Sequence, residues 1–331
     1  MPKPQRFVIT VMTFSLTVLG LVAPAFAQGP SSTAKIHLLF VWGTKATDTH
    51  WSTLISKKKI EDAFANSEGI NLPKNSPSVG TWKSLEGDDA HPEKILRECR
   101  SISQKAGPND AVFVYILCHG ASAPEDDDPT GPRVHILSPV CKDAKNLELR
   151  KIGIRRSSIM KALQTRPHRL TMLVTDSCSV LAPPEPKVPP PGPRGGNPLL
   201  REFLLKARGT LDINSSNPLG GNMKQGELAM GWVPPFKDHP TTEGYLQWAT
   251  EDPANRYSGT VFTNTFIDFA KRRVTTTYSV DKFYEELKQE LKKYYTETKY
   301  MVIESGLDPE AFMRQPPQTL TRFDSRGVAL P

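Results

Sequence analysis

The sequence predicts an α/β protein, a three-layer sandwich in which a central, mostly parallel sheet of about six strands is flanked by helices. Three observations carry that expectation. Lys35–Val41 (KIHLLFV), Ala111–Cys118 (AVFVYILC) and Leu170–Thr175 (LTMLVT) are nearly continuous apolar runs, the pattern of strands covered on both faces. Segments with apolar residues at helical spacing alternate with them. The chain is 331 residues long and 38% hydrophobic, enough for a buried core, and this excludes wholesale disorder.

In chain order, the first strand ends at Trp42-Gly43-Thr44. A helix is expected from Trp51 to Ala65, where Leu54, Ile55, Ile60, Ala63 and Phe64 share a face. Thr81–Leu85 reads as a short strand. His91-Pro92 opens a helix through about Lys105, and Gly107-Pro108-Asn109-Asp110 stops it. The strand AVFVYILC follows, then a minor strand at Val134–Leu137. A short helix over Ser157–Thr165 takes Ser157 or Ser158 as its cap. Leu170–Thr175 is the next strand, followed by a proline-rich loop, a helix at about Leu199–Lys206 and a strand at Gly209–Ser215. Thr263 can cap a helix through Ala270. Ser279 caps an amphipathic helix whose stripe is Val280, Phe283, Leu287, Leu291 and Tyr294. No internal repeat is visible.

Composition narrows the partners. Lys3 and Arg6, the apolar run Phe7–Val22 and Ala25-Phe26-Ala27 together read as a secretory signal peptide cut after Ala27. The run is short for the roughly 20 residues of a spanning helix. Removing Lys3 and Arg6 from 42 basic groups leaves 40 against 35 acidic, a mild net charge of +5. With no dense basic stripe interleaved with aromatics, nucleic acid is a poor partner. The expected location is exported, periplasmic or secreted, with no membrane association after cleavage. The expected organisation is a signal peptide (1–27), a polar lead (28–34), one domain (35–300) and a C-terminal extension (301–331). Eight of the 30 prolines fall within 183–198, which marks 182–198 as one long loop. The four cysteines, Cys99, Cys118, Cys141 and Cys178, at first suggest two disulfides in an exported chain.

Ligands of open α/β sheets sit outside the carboxyl ends of the strands. There AVFVYILC runs into His119-Gly120, and LTMLVT runs into Asp176-Ser177-Cys178. A thiolate nucleophile needs an imidazole to take its proton, and His119 can do so for Cys178. Gly120 has no side chain, so its N–H can approach a carbonyl closely and, with the N–H of Cys178, form an oxyanion hole. Asp176 offers charge to a cationic substrate group. Taken alone, Cys178 reads more simply as a small buried hydrophobe; the conjunction of the two strand ends carries the catalytic reading.

From Lys35 to about Thr296, strand–His-Gly followed by strand–Asp-x-Cys resembles the caspase-like cysteine peptidases, in particular the metacaspase branch. The caspase signature Q-A-C-x-G lies about 50 residues after its His; here His119 and Cys178 are 59 apart, and Asp176 stands at the glutamine position. Ser258–Phe266 (SGTVFTNTF) is similar to the Gly-x-Phe-Thr segment that opens a late helix of the family. The resemblance implies a caspase-like sandwich, a His119/Cys178 dyad and an S1 pocket for Arg or Lys at Asp176, with Asp48 as a second pocket acid. A buried carboxylate suits a bidentate guanidinium. Departures are plain: the Gly-Cys-x-Asn-Asp stretch is missing near Asp48, Leu117-Cys118 replace Ser/Gly before His-Gly, and Ser179-Val180-Leu181 replace His-Ser-Gly.

The expected function is therefore an endopeptidase acting on proteins or peptides after basic residues, as a monomer. A reading from another class is an inactive caspase-like domain used for binding or regulation. Lys187 and Arg194 in the proline-rich loop are candidate self-cleavage points, against the plain reading of an uncut surface loop. Glu125 and Asp126, Asp127 and Asp128 suggest calcium, although a like-charge run is more often a solvated loop; no cofactor is otherwise required. A Cys118–Cys178 disulfide would silence the enzyme, but strand alternation turns Cys118 away from His119. His37, His50, His91, His135, His168 and His239 show no metal-ligand spacing with the cysteines and read as ordinary core or surface histidines.

Overall fold

The computed structural model describes residues 34–47, 49–67, 69–124, 133–142, 152–177, 179–182, 198–216, 229–232, 234, 241–252, 255, 258–272, 279–304 and 320–324. The expected signal peptide, the acidic run and most of the proline-rich loop lie outside them.

The described residues form a three-layer α/β sandwich around a mixed, mostly parallel sheet. β1 (Ile36–Trp42) pairs in parallel with the edge strand β2 (Val79–Glu86) and with β3 (Ala111–Pro124). β3 pairs in parallel with β6 (Leu170–Ser177), and β6 with β8 (Gly209–Asn214). The last strand, β11 (Thr321–Arg322), adds antiparallel to β8, giving the order β11-β8-β6-β3-β1-β2. Part of the expected C-terminal extension thus joins the sheet edge, with Leu320 and Phe323 buried. Beyond its parallel stretch β3 turns antiparallel to β4 (Arg133–Ser138), which pairs with the short β5 (Ile154–Arg155).

Alternate side chains of the buried strands feed two cores, which is why these strands are apolar without a break. Phe40, Trp42, Phe113, Tyr115, Met172 and Val174 face one way. They meet α1 (His50–Ala65), α4 (Leu199–Lys206), α6 (Val261–Ala270) and α7 (Val280–Glu304). Leu39, Val41, Val112, Val114, Ile116 and Leu173 face α2 (Pro92–Lys105) and α3 (Arg156–Leu163). Each fully buried aromatic or aliphatic side chain contributes about 1.5–3 kcal/mol of transfer free energy, so the two cores hold the fold.

Several details differ from the sequence reading. α3 begins at Arg156, and its N-cap Arg155 makes no side-chain cap bond; the chain enters the helix from the extended β5, so neither Ser157 nor Ser158 occupies the cap. α6 is capped by Thr260, whose Oγ1 accepts the Thr263 N–H at 3.1 Å. Thr263 lies inside the first turn and turns its hydroxyl elsewhere. A second, three-stranded sheet of β7 (Ser179–Ala182), β9 (Ala229–Trp232) and β10 (Gly259–Thr260), and the helix α5 (Thr242–Glu251), are additional to the sequence reading. Among the described residues, no helix is long and apolar enough to cross a membrane.

Candidate functional site

The parallel register of β3 and β6 runs from Ala111↔Leu170 to Leu117↔Asp176 and Cys118↔Ser177. It therefore brings His119, one residue beyond Cys118, beside the end of β6 from which the chain passes to Cys178. His119 is only 4% exposed and is paired with Ser138 across the β3–β4 ladder. Cys178 itself lies outside the described residues, as do Asp48, Lys187, Arg194, Asp126, Asp127 and Asp128.

Gly120 pairs with Leu137 in β4, and its lack of a side chain has a packing cause. A Cβ there would lie 2.9 Å from His135 Nε2 and 3.0 Å from Ser177 Cβ. That close approach presses His119-Gly120, where the parallel stretch of β3 gives way to its pairing with β4, against the end of β6.

Asp176 belongs to β6 itself, because the strand continues two residues past the expected end. Its carboxylate is fully buried. Ser215 Oγ donates to Oδ1 at 2.9 Å, Thr263 Oγ1 donates to Oδ2 at 3.1 Å, and Thr260 Oγ1 also donates to Oδ2. These hydroxyls come from the end of β8 and the first turn of α6. Thr260 is placed in turn by Ser56 of α1, whose Oγ accepts the Thr260 N–H at 2.9 Å. Gly259 makes that contact feasible: its φ is +92° and a Cβ would sit 2.7 Å from Ser56 Oγ. Asp176 thus ties the central sheet to the helix layer on one face.

Burial pushes the Asp176 carboxyl up to about 6, against the hydroxyl bonds from Thr260, Ser215 and Thr263, which favour the anion. The sign follows directly. A raised folded-state pKa means the native state holds the proton more tightly than the unfolded chain, so this group stabilises the fold most at low pH. That contribution, on the order of 3 kcal/mol, is lost as pH rises from 3.8 through about 6. Urea unfolding of wild type and Asp176→Asn should diverge over that window, wild type losing stability relative to the variant. A pH-independent difference would contradict the assignment. Asp212, also pushed up to about 6 mainly by burial, is common to both proteins and cancels.

The other face of the same strand ends carries a buried polar network that sequence reading missed. The Arg156 guanidinium is fully buried. Its Nε donates to Asp212 Oδ1 at 2.5 Å, Nη2 donates to the Ile213 carbonyl at 2.6 Å, and Nη1 donates to Thr175 Oγ1. Its face lies 4.3 Å over the Phe323 ring. Nη1 is also 3.5 Å from His135 Nδ1. A guanidinium only donates, so His135 Nδ1 is an acceptor and the ring proton sits on Nε2. Burial and the neighbouring Arg156 hold the His135 pKa well below the usual range, in keeping with a neutral ring. Nε2 then donates to Ser177 Oγ at 3.3 Å, and Ser177 Oγ–H donates to Asn214 Oδ1 at 2.7 Å. In this tautomer His135 cannot take a proton from Ser177, so the pair is a brace and not a serine nucleophile with its base. The signal was present in β8: Asp212 and Asn214 alternate with Leu211 and Ile213 in a strand buried over that stretch, and buried polar side chains must find partners.

The remaining expected residues are placed as follows. The chain on either side of Asp48 is anchored near the end of β1, with the Thr47 N–H on the Lys142 carbonyl at 2.7 Å and His50 Nδ1 2.9 Å from the Thr44 carbonyl. Cys118 packs in the core opposite to that of Leu117, as alternation requires. No disulfide joins the buried Cys99, Cys118 and Cys141 to one another. Burial pushes the Cys99 thiol up to about 12. Among the described residues, no group of three or more His, Cys, Asp or Glu could hold a metal ion.

No protein-family model matches this chain, and no curated protein matches it. Among solved structures it is similar to a crystal structure of a Geobacter sulfurreducens protein, at TM-score 0.43 and 11% identity, over 89% of this chain and 97% of that one. The sheet and its flanking helices establish the class of the chain, an α/β three-layer sandwich.

Proposed function

We propose that this chain is a caspase-like cysteine endopeptidase that cleaves after Arg or Lys, with His119 and Cys178 as its dyad. The observation that supports it best is the β3–β6 register, Cys118↔Ser177. Through it, two strand ends 59 residues apart in sequence, each bearing one half of the required chemistry, become neighbours at the carboxyl edge of a parallel sheet.

In this reading His119 takes the Cys178 thiol proton, and the thiolate attacks the scissile carbonyl carbon. The oxygen anion so formed is met by the N–H groups of Gly120 and Cys178. The C–N bond breaks as His119 passes its proton to the leaving amine, and water then hydrolyses the thioester. Asp176, whose carboxylate is fully buried under the hydroxyls of Ser215, Thr260 and Thr263, supplies negative charge that favours a basic side chain before the scissile bond through its field, with Asp48 as a second acid. The substrates are proteins or peptides met after export. Calcium, if used, falls to the acidic run at Asp126, Asp127 and Asp128. Lys187 and Arg194 are the self-cleavage points.

Purified wild type, Cys178→Ala and Asp176→Asn should be offered peptides whose cleavable residue is Arg, Lys, Asp or Asn. Wild type is expected to turn over the Arg and Lys peptides only. Asp176→Asn should lower kcat/KM for them by about 10- to 100-fold, because a unit charge a few ångströms from a cation is worth roughly 1–4 kcal/mol near a protein surface. No Cys178-dependent turnover of any peptide would return the chain to the non-catalytic binding reading, and preference for Asp would remove the role given to Asp176.

A further inference from the structure

The polar network beneath the end of β6 converges on one peptide group. Ser216 Oγ donates to the Ser177 carbonyl at 3.2 Å, and Asn214 Nδ2 donates to Ser216 Oγ at 3.1 Å and to the Ser216 carbonyl at 2.7 Å. Asn214 is itself held through Oδ1 by Thr175 at 2.6 Å and Ser177 at 2.7 Å, and Arg156 donates to Thr175. The Ser177 N–H is taken by Ser215 Oγ at 3.3 Å. The last residue of β6 is therefore fixed at its N–H, its side chain and its carbonyl by β8 and the two serines that follow it.

That carbonyl belongs to the Ser177–Cys178 peptide. A peptide unit is planar and, for a residue other than proline, trans, so fixing C=O also fixes the direction of the N–H on the other side of the same bond. In the proposed mechanism, on which this inference rests, that N–H is an oxyanion donor. We propose that Ser216 is a positioning residue: by holding the Ser177 carbonyl it sets the plane of the peptide whose N–H receives the oxyanion. Asn214 holds the Ser216 hydroxyl in the orientation that donates, and the Arg156 brace anchors Asn214 through Thr175. Preorganised donors are effective because they need no reorientation as charge develops, and a buried hydroxyl on the carbonyl removes the freedom of that plane to rock.

The consequence is separable from general damage. Alkylation of the Cys178 thiol by iodoacetamide forms no oxyanion, whereas acyl transfer does. In Ser216→Ala, kcat for an Arg peptide should fall by about 10- to 100-fold, somewhat less than loss of an oxyanion donor outright. KM and the rate of Cys178 alkylation should stay within about two-fold, since neither involves the oxyanion. Should the Ala protein fail to fold, Ser216→Thr and Ser216→Val pose the same question at matched volume, and only Thr should retain wild-type kcat. Unchanged kcat in Ser216→Ala, alkylation falling in step with kcat, or equal activity of the Thr and Val proteins would overturn the assignment. Wild type is measured first: without Cys178-dependent turnover the endopeptidase reading fails, and this role with it, whereas an active wild type with an indifferent Ser216 removes this role alone.

Discussion

Cys178→Ala and His119→Ala should each lower kcat on a basic peptide by at least about 10³-fold, and the double variant should be no worse than the poorer single one. Groups that act as a unit are grossly non-additive; once the thiol is gone, the imidazole has no proton to take. His119 is only 4% exposed, so His119→Ala also removes buried packing and should lower stability as well as activity. Steady-state kinetics on the three proteins, with circular dichroism as the folding check, reads the outcome. Additive losses would mean that the two residues work independently, and a loss of under ten-fold in either single variant would remove that residue from the chemistry.

The largest stability effect is expected at Arg156. Its guanidinium is fully buried against Asp212, Thr175 and the Ile213 carbonyl. Removing one partner of a buried pair leaves the other charge uncompensated, which costs about 3–5 kcal/mol. Arg156→Met should lose that much in urea unfolding near neutral pH. Without Arg156 to favour the anion, the buried Asp212 carboxyl takes up its proton at a higher pH than the value of about 6 in wild type, so the deficit should shrink as pH falls toward about 6 and level off below it. Adding Asp212→Leu to Arg156→Met removes the stranded carboxylate and should recover most of the loss, since apolar replacements of whole buried pairs are often neutral or better. A deficit under about 1 kcal/mol in Arg156→Met would show that the network is not a buried pair in solution.

These two predictions draw on features of unequal visibility in the sequence. The strands β1, β3 and β6 were legible because they are covered on both faces and so are apolar throughout; α2 and α7 were legible because each covers one core only, leaving a stripe. His119 and Asp176 could be placed from the positions of strand ends alone. What escaped depends on pairing between distant segments. Nothing local in Thr321-Arg322 marks a strand, because two residues acquire that state only by docking on Ile213 and Asn214. The cap of α6 went to Thr260 rather than Thr263 because Asp176, 84 residues away from Thr260 in the chain, draws both hydroxyls into one site. The Arg156 brace was the main miss. A charged residue directly before Ser-Ser-Ile reads as surface by default, and only Asp212 and Asn214 inside an otherwise apolar strand hinted at a partner.

The central claim, that the ends of β3 and β6 converge into a thiol peptidase site, is tested most directly by covalent capture. Native protein treated with a peptide ending in an arginyl chloromethyl ketone, then digested and weighed, should carry the label on Cys178. The other three thiols should stay unlabelled, because Cys99, Cys118 and Cys141 are buried. Labelling should be lost in Cys178→Ala, be strongly slowed in His119→Ala, and proceed far faster with the arginyl reagent than with its aspartyl counterpart. Label on another residue, or labelling of Cys178 at the same rate whether or not His119 is present, would contradict the account.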